Sequence, residues 1–144
     1  MNLVHGTTVA VAGRGVLIRG ESGRGKSDLA LRLIDGGARL VADDQTRLTR
    51  RGDRLIADAP APIAGLIEAR GIGILRLPHG PAPLALVVDL VADPAEIERL
   101  PAPETAEWLG VTLPCLRLAG FEASAAAKVR LVVLAAPQDI MRGS

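Results

Sequence analysis

Aromatic side chains are nearly missing from these 144 residues: one tryptophan, one phenylalanine and no tyrosine. Successive bases of a single strand need successive aromatic faces, so a stacking platform for single-stranded nucleic acid is excluded. Charge of one sign is lacking too. Lys and Arg number 17 against 16 Asp and Glu, a formal net charge of +1. With the arginines scattered among acids, the basic footprint that duplex nucleic acid requires does not arise. Cysteine occurs once, at Cys115, which leaves no internal disulfide and suits a reducing cytoplasm. Met1-Asn2-Leu3-Val4-His5 lacks the basic stretch and apolar run of a secretory leader, and no apolar run approaches the roughly 18 residues of a membrane span. The expectation is a cytoplasmic protein with neither nucleic acid nor membrane as partner.

What is present is a globular composition, 49% hydrophobic and 23% charged, with the apolar surplus in Ala, Leu and Val. The length suits one domain over residues 1–144, and no repeat or composition break divides it. Segments 7–12 and 15–19 read as two antiparallel strands joined by a turn at Gly13-Arg14-Gly15. Residues 27–34 have near-helical apolar spacing and stop at Gly36-Gly37. A strand is expected at 39–42 and a hairpin at 46–57 around Arg51-Gly52-Asp53, with a loop at 59–64. Residues 84–91 form the most strand-like run. Asp93-Pro94 opens a short helix to about Leu100, and 123–135 is read as helix despite its β-branched valines. Strands on both sides of a glycine-rich turn imply an α/β core, a mixed sheet with added antiparallel hairpins.

That turn, Gly20-Glu21-Ser22-Gly23-Arg24-Gly25-Lys26-Ser27, fits G-x-x-x-x-G-K-[ST]. Its glycines let backbone N–H groups turn inward around phosphate oxygens, Lys26 reaches the β and γ phosphates, and the Ser27 hydroxyl suits magnesium. A strand enters it and a helix leaves it, so the helix dipole adds to an anion site. The pattern predicts a nucleoside triphosphate held with Mg2+. Asp43-Asp44 follow the next strand, where one carboxylate can hold magnesium and the other accept a proton; the alternative is an ordinary acidic turn. Glu68 and Arg70 alternate into Ile67-Glu68-Ala69-Arg70-Gly71-Ile72-Gly73-Ile74. If buried, these charges need each other or a ligand ion; if not, they are a solvated strand face. His5 and His79 form no metal-ligand set with other residues, and Cys115 and Trp108 read as packing residues.

In this order the pieces resemble the catalytic domain of bacterial HPr kinase/phosphorylase, which phosphorylates a serine of the phosphocarrier protein HPr and reverses the reaction with inorganic phosphate. The resemblance rests on His5-Gly6 before two strands, the turn at Gly20 to Ser27, the leucine-rich helix, Ala42-Asp43-Asp44 and Ile67 to Ile74. It covers roughly residues 5–90. It implies a P-loop nucleotide-binding core like that shared with phosphoenolpyruvate carboxykinase, with ATP and Mg2+ as cofactors, HPr as partner and a homo-oligomer, hexameric in the family. The residue roles it implies are Lys26 and Ser27 as phosphate and magnesium ligands, Glu68 as a second metal ligand and Asp43 as support for the metal. Asp44 becomes the base, with His5 and Arg70 counted in the catalytic set. The family's separate N-terminal domain, its pair of C-terminal helices and its PxRPGRN-like segment are not matched, and Asp28 stands where Glu usually follows the GKS. A short, catalytic-domain form is therefore expected. Two further readings remain: another small phosphotransferase or nucleotide hydrolase, and a nucleotide-sensing module that transfers nothing.

Overall fold

The computed structural model describes residues 1–142. Its centre is β9 (Ala82–Val91), the longest strand, whose Leu86, Val88 and Leu90 face one side and Val87 the other. On one edge β9 pairs in parallel with β3 (Arg14–Arg19). Outward from β3 follow β2 (Thr7–Val11) and β4 (Arg39–Ala42), each antiparallel to its neighbour. On the other edge β9 forks. Its start pairs antiparallel with β6 (Arg54–Asp58), and its end pairs in parallel with β11 (Val111–Ala119). Beyond β6 lie β5 (Gln45–Arg51) and β1 (Asn2–His5), while β10 (Glu104–Trp108) pairs with β11. β7 (Leu66–Ala69) and β8 (Gly73–Arg76) form a separate two-stranded sheet.

The forked sheet has a core on each face. Helices α1 (Lys26–Asp35) and α2 (Ala125–Leu134) bury Leu29, Leu33, Ala125 and Val129 against Val16, Ile18 and Val88. Opposite, Leu17, Leu48, Leu55 and Val87 pack where the β1-β5-β6 arm curls over. Each fully buried Leu, Ile or Val side chain contributes about 1.5–3 kcal/mol of transfer free energy, so the two apolar layers fix the sheet's register.

Strand direction positions the site. β3, β9 and β11 are mutually parallel, and β4, antiparallel to β2, also runs with β3. Their carboxyl ends therefore gather at one end of the sheet, the usual place for a ligand crevice in α/β proteins. The turn at 20–25, Asp43 and residues 120–122 all lie there.

One expectation is corrected. The helix from Pro94 to Leu100 is a single 3-10 turn, Pro94–Glu96. Asp93 caps it as expected, its side chain accepting from Ala95 N at 2.9 Å. It ends because Ile97 is extended and the residues that follow bury no apolar stripe, and Leu100 precedes a proline that disfavours helical backbone. Strands β1, β10 and β11 were not foreseen. Residues 123–135 do form a helix, α2.

Candidate functional site

The turn between β3 and α1 is shaped by its glycines. Gly23 and Gly25 have φ of 84° and 93°, left-handed values that side-chain-bearing residues avoid. Gly25 is the N-cap of α1 with no side chain to cap it, so the first amides of the helix face the end of the sheet unpaired by a side chain. Lys26 folds over the turn from within: its Nζ donates to the Gly20 carbonyl at 2.7 Å and the Glu21 carbonyl at 3.3 Å. An ammonium has three donors, so one remains for an incoming oxygen.

Asp43 is the hub. Its Oδ1 accepts from Ser27 Oγ at 2.8 Å and Thr7 Oγ1 at 2.9 Å, and its Oδ2 accepts from the backbone amide of Glu68 at 3.0 Å. Three donors thus converge on one buried carboxylate. They also tie α1, β2 and β7 to the end of β4. Since Ser27 spends its only hydrogen on Asp43, its lone pairs are left for a metal ion.

Asp44 is its opposite, 69% exposed at the side chain. It has φ of 68°, and Gln45 N donates across it to the Asp43 carbonyl at 2.7 Å. That bond describes a γ-turn centred on Asp44, a rare and strained form. The turn is held from both sides: Gly6 N donates to the Asp44 carbonyl at 2.8 Å, and Asp44 N donates to Thr7 Oγ1 at 3.2 Å. Strain kept in place by surrounding bonds, with an open carboxylate at its apex, is typical of functional positions. His5, at the end of β1, brings Nδ1 to 3.8 Å from Asp44 Oδ1. Both are exposed, so this contact adds little stability.

The fold therefore brings together Lys26, Ser27, Asp43, Asp44 and His5. Glu68 joins through its amide; its side chain, like that of Arg70, is exposed. Burial of this charged pair does not hold, and among the described residues neither has an ion-pair partner. The reason is local: on the β7–β8 hairpin Ile67 and Ala69 face the core, so Glu68 and Arg70 alternate outward. Among the described residues no three His, Cys, Asp or Glu converge as a ready-made metal cage.

Thr7 was not anticipated. It is fully buried, donating to Asp43 while accepting from Asp44 N. Its place directly after His5-Gly6 was the available signal. A second unforeseen set lies just behind the turn. Arg19 grips Asp89 with two bonds, 2.7 and 2.9 Å, and its guanidinium sits 5.2 Å from the centre of the Trp108 ring. Cys115 Sγ donates to Asp89 at 3.3 Å. Burial, then Asp89, pushes the Cys115 thiol up to about 11, and Asp89 raises the Arg19 guanidinium further. Cys115 and Trp108 thus do more than fill space: they anchor the strand that enters the turn.

The family model described as the HPr serine kinase C-terminal domain matches residues 1–136. The chain is 50% identical over 76 residues to an HPr kinase/phosphorylase of an Exiguobacterium species, covering 52% of this chain and 24% of that protein. With the HPr kinase/phosphorylase of Bordetella pertussis it shares 43% over 122 residues, 76% of this chain and 40% of that one. It thus spans between about a quarter and two fifths of these relatives. A solved structure of the Hpr(Ser) kinase/phosphatase from Coxiella burnetii superposes with a TM-score of 0.81 at 28% identity, covering 92% of this chain and 94% of that one.

Proposed function

The chain belongs to the HPr serine kinase family through its C-terminal domain, and from that premise we propose that it moves the γ-phosphoryl group of ATP to a serine hydroxyl of the phosphocarrier protein HPr. The observation that carries the reading is the pairing of a firmly held, buried Asp43 with an open Asp44 beside the glycine turn. One carboxylate is fixed in place by three hydrogen bonds. The other is free to meet a substrate.

In this reading the turn from Gly20 through Glu21, Ser22, Gly23, Arg24 and Gly25 to Lys26 and Ser27 holds the phosphates. Its amides and the remaining Lys26 donor neutralise charge that grows on the transferring group. The donors that fit magnesium are the Ser27 hydroxyl, with free lone pairs, and the Asp43 carboxylate beside it; the exposed Glu68 carboxylate, whose residue meets Asp43 through its amide, would join them by turning inward. When bound, that ion would offset phosphate charge. Asp44 takes the serine proton as the new O–P bond forms and the bond to the β,γ-bridging oxygen breaks, releasing ADP. His5 lies where it can orient Asp44, and exposed Arg70 is free to meet the acceptor. The reverse step would use Asp44 as the acid. Residues 1–144 act as one catalytic unit in the cytoplasm, and the exposed Leu131 and Leu134 of α2 offer an apolar face for self-association.

The test is transfer of label from γ-labelled MgATP to HPr of the same source, with Lys26→Ala as control. Label on an HPr serine that vanishes in the control supports the reading. Tight ATP binding with no transfer overturns it in favour of a nucleotide-sensing module.

A further inference from the structure

The only phenylalanine of the chain, Phe121, is 68% exposed, although a large apolar ring is ordinarily drawn inside. It stands in the turn between β11 and α2, at the same end of the sheet as the glycine turn. Its exposure does not come from a slack loop. Arg32 of α1 donates to the carbonyls on both sides of it, Gly120 and Glu122, the latter at 3.0 Å. Glu122 N closes the turn on the Ala119 carbonyl at 3.1 Å, and Lys128 holds the Glu122 carboxylate at 3.0 Å. With its flanks pinned, the ring is held outward, and it lies on Gly25. A Cβ at Gly25 would fall 2.9 Å from Phe121 Cε1. Gly120 in turn presses on the glycine turn, where a Cβ would come 2.4 Å from the Arg24 carbonyl oxygen.

Beside the ring opens a cavity of about 310 Å³ lined by Gly23, Arg24, Val91, Pro94, Gly120 and Phe121. It is walled mostly by apolar atoms. Of the charged residues that line it, Arg24 is paired with Glu21 and Glu122 with Lys128. It therefore offers a flat aromatic face and few free groups to read an edge.

We propose that Phe121 is the stacking platform for the nucleobase of the triphosphate whose phosphates occupy the glycine turn. This rests on the nucleotide reading above. A planar base suits an exposed ring fixed against the N-cap of α1, and such a contact is tolerant of which base is bound. Here the scarcity of aromatics has its use: a single ring serves a single base.

The experiment is calorimetric binding of MgATP and of magnesium tripolyphosphate, which has the phosphates but no base, to wild type, Phe121→Ala and Phe121→Trp. Wild type should bind MgATP more tightly than tripolyphosphate. Phe121→Ala should lose MgATP affinity by about 5- to 100-fold, the range for one base–aromatic stack, while keeping tripolyphosphate affinity and an unchanged thermal midpoint. Phe121→Trp should restore MgATP binding. Undiminished MgATP affinity in Phe121→Ala overturns the stacking role and leaves the phosphate site standing. An equal loss of both ligands overturns it as well, by showing damage to the turn. Failure of wild type to bind either ligand sinks the nucleotide reading itself.

Discussion

Replacing Asp43 with alanine removes one acceptor group from three donors at once, and the structure sets how much each loss costs. Thr7 is fully buried, so its hydroxyl hydrogen is left without a partner or water, at about 1–3 kcal/mol. Ser27 and the Glu68 amide can reach solvent, and each adds no more than about 1 kcal/mol. The total is about 2–4 kcal/mol. For a chain of this size each kcal/mol moves the melting midpoint by about 2–4 °C, so calorimetry should show Asp43→Ala melting about 5–15 °C below wild type. Asp43→Asn keeps an oxygen for Thr7 and Ser27 but turns an NH2 group on the Glu68 amide, and should lose about half as much. Thr7→Val combined with Asp43→Ala should cost less than the two singly, because the stranded hydroxyl is gone. An Asp43→Ala protein as stable as wild type would refute the hub.

Gly120→Ala should destabilise by about 1–3 kcal/mol, the usual cost of overpacking, and weaken MgATP binding although Gly120 lies outside the glycine motif. The reason is that its Cβ meets the Arg24 backbone, which cannot swing away; unchanged melting and affinity would contradict this. The part of the stability that Cys115 contributes should be intact below about pH 9 and be lost as pH rises towards 11. The unfolded Cys115 thiol ionises near its ordinary 9.0, while the folded one resists to about 11. Denaturant titrations across that range should show the component missing in Cys115→Ala. By the same logic, the folded Cys115 should react slowly with a thiol reagent at pH 8, and faster in denaturant.

What the sequence disclosed was governed by local rules. The glycine turn, α1 and β4 each announce themselves within a dozen residues, through fixed spacing, apolar period and a bounding glycine or acid. β1, β10 and β11 do not. β1 pairs with the distant β5 and β11 with the distant β9, while the local hairpin that joins β10 to β11 is obscured by Pro114, which speaks against a strand until its partners are known. The adjacent aspartates were legible as a pair, and the family resemblance implied Asp44 as base and Asp43 as support for the metal, but the geometry that sets them apart was not legible. Only the packing of Thr7, Ser27 and the Glu68 amide around Asp43, and the γ-turn at Asp44, separates a fixed carboxylate from an open one. The exposure of Glu68 and Arg70 depended on which face of β7 the core claims. The place of Phe121 depended on Arg32, 89 positions away in the chain, reaching its flanking carbonyls.

The division between the two aspartates is tested most directly by single-turnover transfer from labelled MgATP to HPr, with MgATP affinity measured on the same proteins. Asp44→Asn should slow transfer by about 10²–10⁴-fold, the worth of a positioned general base, while binding MgATP as wild type does. Transfer at the wild-type rate in Asp44→Asn would contradict the assignment of Asp44 as the base.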